Sequence, residues 1–343
     1  MPVSFGFNRF DMRSAEQFAT SVREGEMLGY DIAWIPSSPL LVQDPYVLLA
    51  LAATQTSRIH LGPMIENPVT RHPAVIAGSI ATLARLSGGR AELALGVGDT
   101  AVRTLGLGPA RVAELEAATR TVKGLLAGDK LDFQGTGSRL RHAAGAPIWI
   151  AAGGPRTLAL AGALADGVII RVGTHQTNIK AAIDQALSGA ESAGRDPATL
   201  RFGAVFHTVL SDDEAIVNTV GRAIAAGYYE YAPYLFDRIG ASWDGPDIEE
   251  LKTQIWQDFH HTPDLVAAGK LVHFLPDQTL ADFCLHGSST EIHAQLAAIR
   301  RANPRISMVV PHPMTPLAAP GEQPHLAFMR DFADSIFPDR DSL

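Results

Sequence analysis

The sequence predicts an α/β protein, a (β/α)8 TIM barrel with a helical insertion before its last strand. Three observations predict it. Short apolar runs alternate with helical stretches along most of the 343 residues, the alternation that builds a parallel sheet. Eight such runs occur, the number that closes a barrel. Glycines and polar residues gather behind the carboxyl ends of the runs, where α/β barrels keep their chemistry. No clean boundary, low-complexity tract or short repeat breaks the pattern, so residues 1–343 are expected to form one barrel domain, with 211–305 as an elaborated insertion between strands seven and eight.

The elements follow in order. Residues 3–8 alternate and stop at a polar turn, giving strand one. Ser14 caps a helix that runs to Leu28 and ends at Gly29. Strand two, 32–35, closes with Pro36-Ser37-Ser38-Pro39, and Asp44-Pro45 opens a helix in the order cap, then proline. Strand three, 59–65, runs into the polar turn 66–71, and a helix over 72–86 stops at Gly88-Gly89. Strand four, 91–95, ends in Gly96-Val97-Gly98-Asp99. A loop over 100–109, a helix over 112–126 and a small hairpin excursion over 131–142 come next. Strand five, 147–152, ends in Gly153-Gly154-Pro155, and a short helix over 156–165 leads to strand six, 168–172, which ends in Gly173-Thr174. After a helix over 178–194, strand seven spans 201–210, and Ser211 to Glu214 cap the helix that begins the insertion. Strand eight, 306–310, places His312 just past its end, and a helix over 326–336 closes the chain.

Composition narrows the function. Hydrophobic residues make up 46% and charged ones 19%, an ordinary globular balance. The net charge of −8, without a Lys/Arg-rich run, argues against a nucleic-acid or anionic-membrane partner. A single cysteine, Cys284, excludes an internal disulfide and a cysteine-rich zinc site. The start MPVSFGFNRFD lacks the basic and apolar regions of a signal peptide, and no run of ~18 apolar residues spans a membrane. The expected location is the cytoplasm.

Several motifs have both a structural and a functional reading. The glycines of Ala152-Gly153-Gly154 before a helix let a backbone approach a ligand and offer free N–H groups to an anion; a tight turn is the competing account. Val172-Gly173-Thr174 ends the neighbouring strand alike, and together the two suggest a phosphate site. Gly96 to Ala101 matches G-x-G-x-x-A, but it follows the fourth strand and no acidic residue stands about 20 residues on, so a Rossmann site is rejected. The same glycines suit a flat ring lying close to a strand end, with Asp99 facing the mouth or serving as an ordinary loop carboxylate. Glu66, Asn67, Thr70, Arg71 and His72 crowd the end of strand three, although Thr70 or His72 would also serve a helix start. Adjacent His260 and His261 make a poor metal pair, and no metal-ligand spacing is present, so no metal is expected. Trp256, Phe259 and Phe283 suit core or pocket.

Residues 62–99, 106–118 and 146–173 are similar to the bacterial-luciferase-like superfamily of flavin- and deazaflavin-dependent oxidoreductases. The resemblance implies a ring bound at the barrel's carboxyl face, backed by a bulge with a non-prolyl cis peptide within 63–66, so that Asn8, Met64, Ile65, Asn67, Gly96 and Gly98 surround it. The family's phosphate contacts map to Ala152, Gly153, Gly154, Gly173 and Thr174, beside Val172. The whole resembles the deazaflavin branch near methylenetetrahydromethanopterin reductase, which implies coenzyme F420, with FMN as the alternative. The acidic tail of F420 suits Arg71, Arg103 and Arg171. The Asp-His group that several deazaflavin enzymes carry after strand two is replaced here by Ser37-Ser38.

The expected function is hydride transfer between F420 and a small organic substrate. An FMN-dependent monooxygenase fed by a partner reductase is the second reading, and a non-enzymatic flavin-binding barrel the third. The expected catalytic residues are Asp99, Glu66, His312 and Ser37, one of which supplies a proton. A homodimer is expected from the family.

Overall fold

Local signals for helix starts and stops are realised in the computed structural model, which describes residues 3–10, 13–256, 258–314 and 324–343. β1 (Ser4–Phe7) precedes α1 (Ala15–Leu28), where Ser14 Oγ accepts the Gln17 N–H at 3.2 Å and Gly29 turns the chain out with φ 99°. β2 (Ile32–Ile35) leads to α2 (Pro45–Gln55), whose Asp44 cap accepts from the Tyr46 and Val47 N–H groups. β3 (His60–Pro63), α3 (Pro73–Leu86), β4 (Leu93–Leu95) and a single turn, α4 (Thr100–Arg103), follow. After α5 (Val112–Ala127) the predicted hairpin forms from β5 (Leu131–Phe133) and β6 (Thr136–Ser138), paired antiparallel. Then come β7 (Ile148–Ala152), α6 (Pro155–Leu164), β8 (Gly167–Ile170), α7 (Gln176–Ser192) and β9 (Arg201–Leu210). The insertion holds α8 (Glu214–Tyr231), α9 (Tyr234–Ile239), α10 (Ile248–Lys252), α11 (Leu265–Leu271), α12 (Asp277–Phe283) and β10 (Leu285–Gly287). The chain ends with α13 (Ser289–Ala302), β11 (Ile306–Pro313) and α14 (Pro324–Ile336).

The described residues form two compact units. The first comprises Ser4–Ile169 and Asp184–Gly203. Its strands lie in the order β1-β2-β3-β4-β7-β8. β2 pairs in parallel with β1 and β3, isolated parallel bridges Leu61↔Ala91 and Glu66↔Leu95 join the β3 segment to β4, and β4 pairs in parallel with β7. β2, β4 and β8 are buried at every position, as expected of strands covered on both faces. In the same unit α6 and α7 touch backbone to backbone. A Cβ on Gly162 would stand 1.8 Å from the Ala186 carbonyl oxygen, and one on Gly189 would stand 2.2 Å from that of Ala159. Only glycine fits at either place.

The second unit comprises Ile170–Ile183 and Ala204–Leu343, with Val3. Here β9 neighbours β11 and pairs in parallel with β10, Leu285 opposite Thr208 and Gly287 opposite Leu210. α8 packs on α11 and α12.

Three sequence expectations are corrected. The insertion contains β10, a three-residue strand too short to show a period. β11 continues to Pro313, so His312 lies within the strand and not beyond it; Pro311 looks like a strand terminator, yet proline is tolerated where its missing N–H is not needed. The 100–109 segment is not all loop, because α4 begins it. Among the described residues no helix is long and apolar enough to cross a membrane.

Candidate active site

In the first unit a buried polar cluster forms behind β2 and β3. Glu66 is fully buried. Ser37 Oγ donates to both its oxygens at 3.2 Å, and the Asn67 N–H donates at 3.0 Å. Arg71 Nε lies 3.3 Å from Glu66 Oε2, and Arg71 Nη2 lies 2.7 Å from Asp44 Oδ2, so one guanidinium joins the buried carboxyl to the α2 cap. The Tyr46 ring lies beneath that guanidinium, 5.0 Å from centroid to Cζ. Burial pushes the Glu66 carboxyl above its ordinary value of 4.5, against the Asn67 N–H, Arg71 and Ser37, which pull it down. Desolvation therefore wins, and Glu66 is a carboxyl that keeps its proton to higher pH than usual.

Asn67, also fully buried, has its two ends in different roles. Oδ1 accepts from the Val69 and Thr70 N–H groups and from Thr70 Oγ1, at 3.1, 2.9 and 3.1 Å, which fixes the turn after β3. Nδ2 has no hydrogen-bond partner among the described residues. A buried donor left so costs about 1–3 kcal/mol unless something else accepts from it. The Met64–Ile65 peptide bond is cis, inside the stretch the sequence singled out. Gly96 and Gly98 lie alongside: a Cβ on Gly96 would meet Ile65 Cδ1 at 2.5 Å, and one on Gly98 would meet Asn67 Cγ at 3.3 Å. Asn8 and Ser37 are buried in this unit as well.

Asp99 stands apart from this cluster. It opens α4 and pairs with Arg103 Nε at 2.6 Å, with 39% of its side chain exposed. Among the expected catalytic residues, full burial is found at Glu66. His72 caps α3, its Nδ1 accepting from the Ala74 N–H at 3.2 Å.

The two glycine turns also differ. At Gly154, which opens α6 with no side-chain cap, a Cβ would meet nothing within 4 Å. Free N–H groups at a helix start with open space above suit an anion. At Gly173, in the second unit, φ is +78° and a Cβ would strike the Asp282 carbonyl and the Phe283 ring at 2.8 Å. The Thr174 and His175 N–H groups both donate to Asp282 O at 2.9 Å, and Thr174 Oγ1 donates to Ala281 O. After Val172, then, glycine is required by packing against α12, and those donors are already engaged.

The second unit gathers residues that the sequence did not single out together. Arg171 Nη2 lies 3.0 Å from His207 Nε2 and 2.8 Å from His260 Nδ1. A guanidinium can only donate, so both nitrogens are acceptors. His207 therefore carries its proton on Nδ1 and gives it to Tyr228 Oη at 3.1 Å; His260 carries its proton on Nε2 and gives it to the Ile224 carbonyl at 2.9 Å. Both rings are neutral. Burial holds them well below the usual 6.5, and Arg171 pushes the same way. Burial also pushes the Tyr228 phenol up to about 12. The two imidazoles stack at 4.4 Å, and His312 meets His207 edge-on at 5.1 Å. Beside them Asp258, buried, accepts from Tyr231 Oη at 2.7 Å and from the His260 N–H, the His261 N–H and His261 Nδ1 at 2.8 Å. Phe259 and Phe283 are core, whereas Trp256 is 65% exposed. Arg171, His260 and His312 stand out in the sequence for separate reasons, and His207 carries a signal of its own, a lone imidazole inside the apolar strand FGAVFHTVL. Among the described residues no group of three or more His, Cys, Asp or Glu is placed to hold a metal ion.

The comparisons fit this geometry. The chain is 31% identical over 232 residues to a 5,10-methylenetetrahydromethanopterin reductase of Methanolobus tindarius, covering 65% of this chain and 71% of that protein. It is 32% identical over 227 residues to an F420-dependent hydroxymycolic acid dehydrogenase of Mycobacterium tuberculosis, covering 59% and 62%. The solved coenzyme F420-dependent tetrahydromethanopterin reductase of Methanopyrus kandleri matches with a TM-score of 0.77 at 22% identity, over 98% of this chain and 99% of that one. A monooxygenase from Streptomyces bottropensis matches with a TM-score of 0.65 at 19% identity, over 98% and 99%. At such identities the likeness is one of fold, and it is the (β/α)8 barrel that the sequence predicts. The family model described as luciferase-like monooxygenase matches residues 6–305, and the chain belongs to that family.

Proposed function

We propose that this protein is an oxidoreductase that transfers a hydride between coenzyme F420 and a small organic substrate. The observation that carries the proposal is the buried Asn67 carboxamide, whose Nδ2 has no acceptor among the described residues, beside the glycine-lined end of β4. Relatives named as F420-dependent support the choice of cofactor. Bound F420 supplies a carbon that gives or accepts a hydride. The chain's own part is to hold, orient and protonate. Asn67 Nδ2 would donate to a ring acceptor, with Met64, Ile65, Gly96 and Gly98 as the surface on which the ring lies. The start of α6, from Gly153 and Gly154, would take a phosphate. Glu66, whose carboxyl burial holds above its ordinary value and which Ser37, the Asn67 N–H and Arg71 fix in place, would be the group that takes or gives the accompanying proton. Asp99, half-buried and ion-paired with Arg103, lies outside this cluster.

Fluorescence titration of the purified apo-protein with F420 and with FMN tests this. Tight F420 binding with weak FMN binding is expected, and Asn67→Ala should weaken F420 binding about tenfold, or ~1.4 kcal/mol. Tight FMN binding with negligible F420 binding would move the protein to the oxygen-using branch of its family.

A further inference from the structure

Arg171 is exposed as a residue, yet its guanidinium is held from one side by two buried, neutral imidazoles. Arginines in partly buried settings are usually matched by a carboxylate. Among the described residues none is placed to pair with Arg171. The acid in that neighbourhood, Asp258, has its oxygens committed to Tyr231, His261 and two backbone N–H groups. Arg171 therefore keeps its whole charge. Both hydrogen bonds to the imidazoles leave from Nη2, so the edge formed by Nε and Nη1 is not the edge that the imidazoles hold.

We infer that Arg171, oriented by His207 and His260, is a binding site for a carboxylate or phosphate group. The planar fork matches either anion with two parallel hydrogen bonds, and neutral holders fix its plane without spending its charge. The tautomers derived above supply the design. Tyr228 and the Ile224 carbonyl take the far-side protons of the two rings, which leaves their lone pairs facing the guanidinium. The anion would come from a substrate's acidic group or from the acidic tail of the cofactor. That choice rests on the proposed function; the site itself does not.

The test is titration of the full-length protein with inorganic phosphate, and separately with acetate, following the Arg171 Nε–H signal by NMR and binding by calorimetry. Saturable binding is expected, at least tenfold weaker in Arg171→Gln and intermediate in Arg171→Lys, which keeps the charge and loses the fork. Absence of a saturable Nε–H shift in the wild type overturns the inference, as does undiminished binding by a folded Arg171→Gln protein. The wild-type signal decides the matter even if that variant does not fold. Repeating the titration in saturating F420 separates the sources: phosphate excluded by F420 assigns the site to the cofactor, and phosphate still bound assigns it to the substrate. A protein that binds phosphate at Arg171 but no F420 would overturn the proposed function and leave this site standing.

Discussion

The two polar clusters solve the same problem in opposite ways. In the first unit an arginine is spent on carboxyl groups: Arg71 joins Asp44 to Glu66, and burial holds the Glu66 carboxyl above its ordinary value. In the second unit an arginine is held by bases: Arg171 sits on His207 and His260, which burial and the nearby charge keep unprotonated. One cluster sets its arginine against acids, and the other sets its arginine against neutral bases. The difference shows that an arginine's partners decide what it can do next. Carboxylates neutralise it, and neutral imidazoles orient it without neutralising it.

The largest test of this contrast removes the acid. Glu66→Leu should cost about 3–5 kcal/mol, because it leaves Ser37, the Asn67 N–H and part of Arg71 without their acceptor in a buried place; urea unfolding measures it. A smaller loss is expected from Gly227→Ala, whose added Cβ would stand 2.2 Å from His260 Cδ2. Overpacking of this kind costs about 1–3 kcal/mol, and it should displace the ring, so that the His260 imidazole signal moves in NMR spectra.

pH should separate the clusters by sign. Glu66 is raised above 4.5, so the folded state binds its proton more tightly, and this group's contribution falls as pH rises above 4.5. His207 and His260 are lowered below 6.5, so their contribution is full above 6.5 and is lost as pH falls below it. Where both effects act, each proton changes the slope by on the order of 1.4 kcal/mol per pH unit. Glu66→Gln should make stability climb more steeply with pH in that window, and His207→Gln should flatten the climb. Unfolding free energies measured across the window check both, and equal slopes in all three proteins would deny the contrast. The smallest effect is expected at Asp99→Asn. Its exposed pair with Arg103 is worth within about 0.5 kcal/mol, and F420 binding should not change.

Much of the architecture was legible because it is local. Ser14, Asp44 and Asp213 cap helices as their positions suggest, and strand seven was bounded correctly as Arg201–Leu210. The Glu66 cluster was legible for the same reason: Glu66, Asn67 and Arg71 lie within six residues of one strand end. Ser37 joined them because strand order brings β2 beside β3. The second cluster was not legible. Arg171, His207, Tyr228 and His260 meet across separations of 36 and 89 residues, through an insertion whose register no sequence period reports. β10 escaped notice because three residues hold no pattern, and the extent of β11 was hidden by its prolines.

The backbone contact between α6 and α7 limits how this sequence can drift. Gly162 faces the carbonyl of Ala186, and Gly189 faces that of Ala159. A larger residue at one position cannot be offset by a smaller one opposite, since what it would strike is main chain. Neutral substitution can wander over the outer faces of both helices while these two sites stay fixed. A mutational library spread over α6 and α7 should return glycine alone at 162 and 189, with broad tolerance at exposed positions such as Arg156, Asp184 and Ser188.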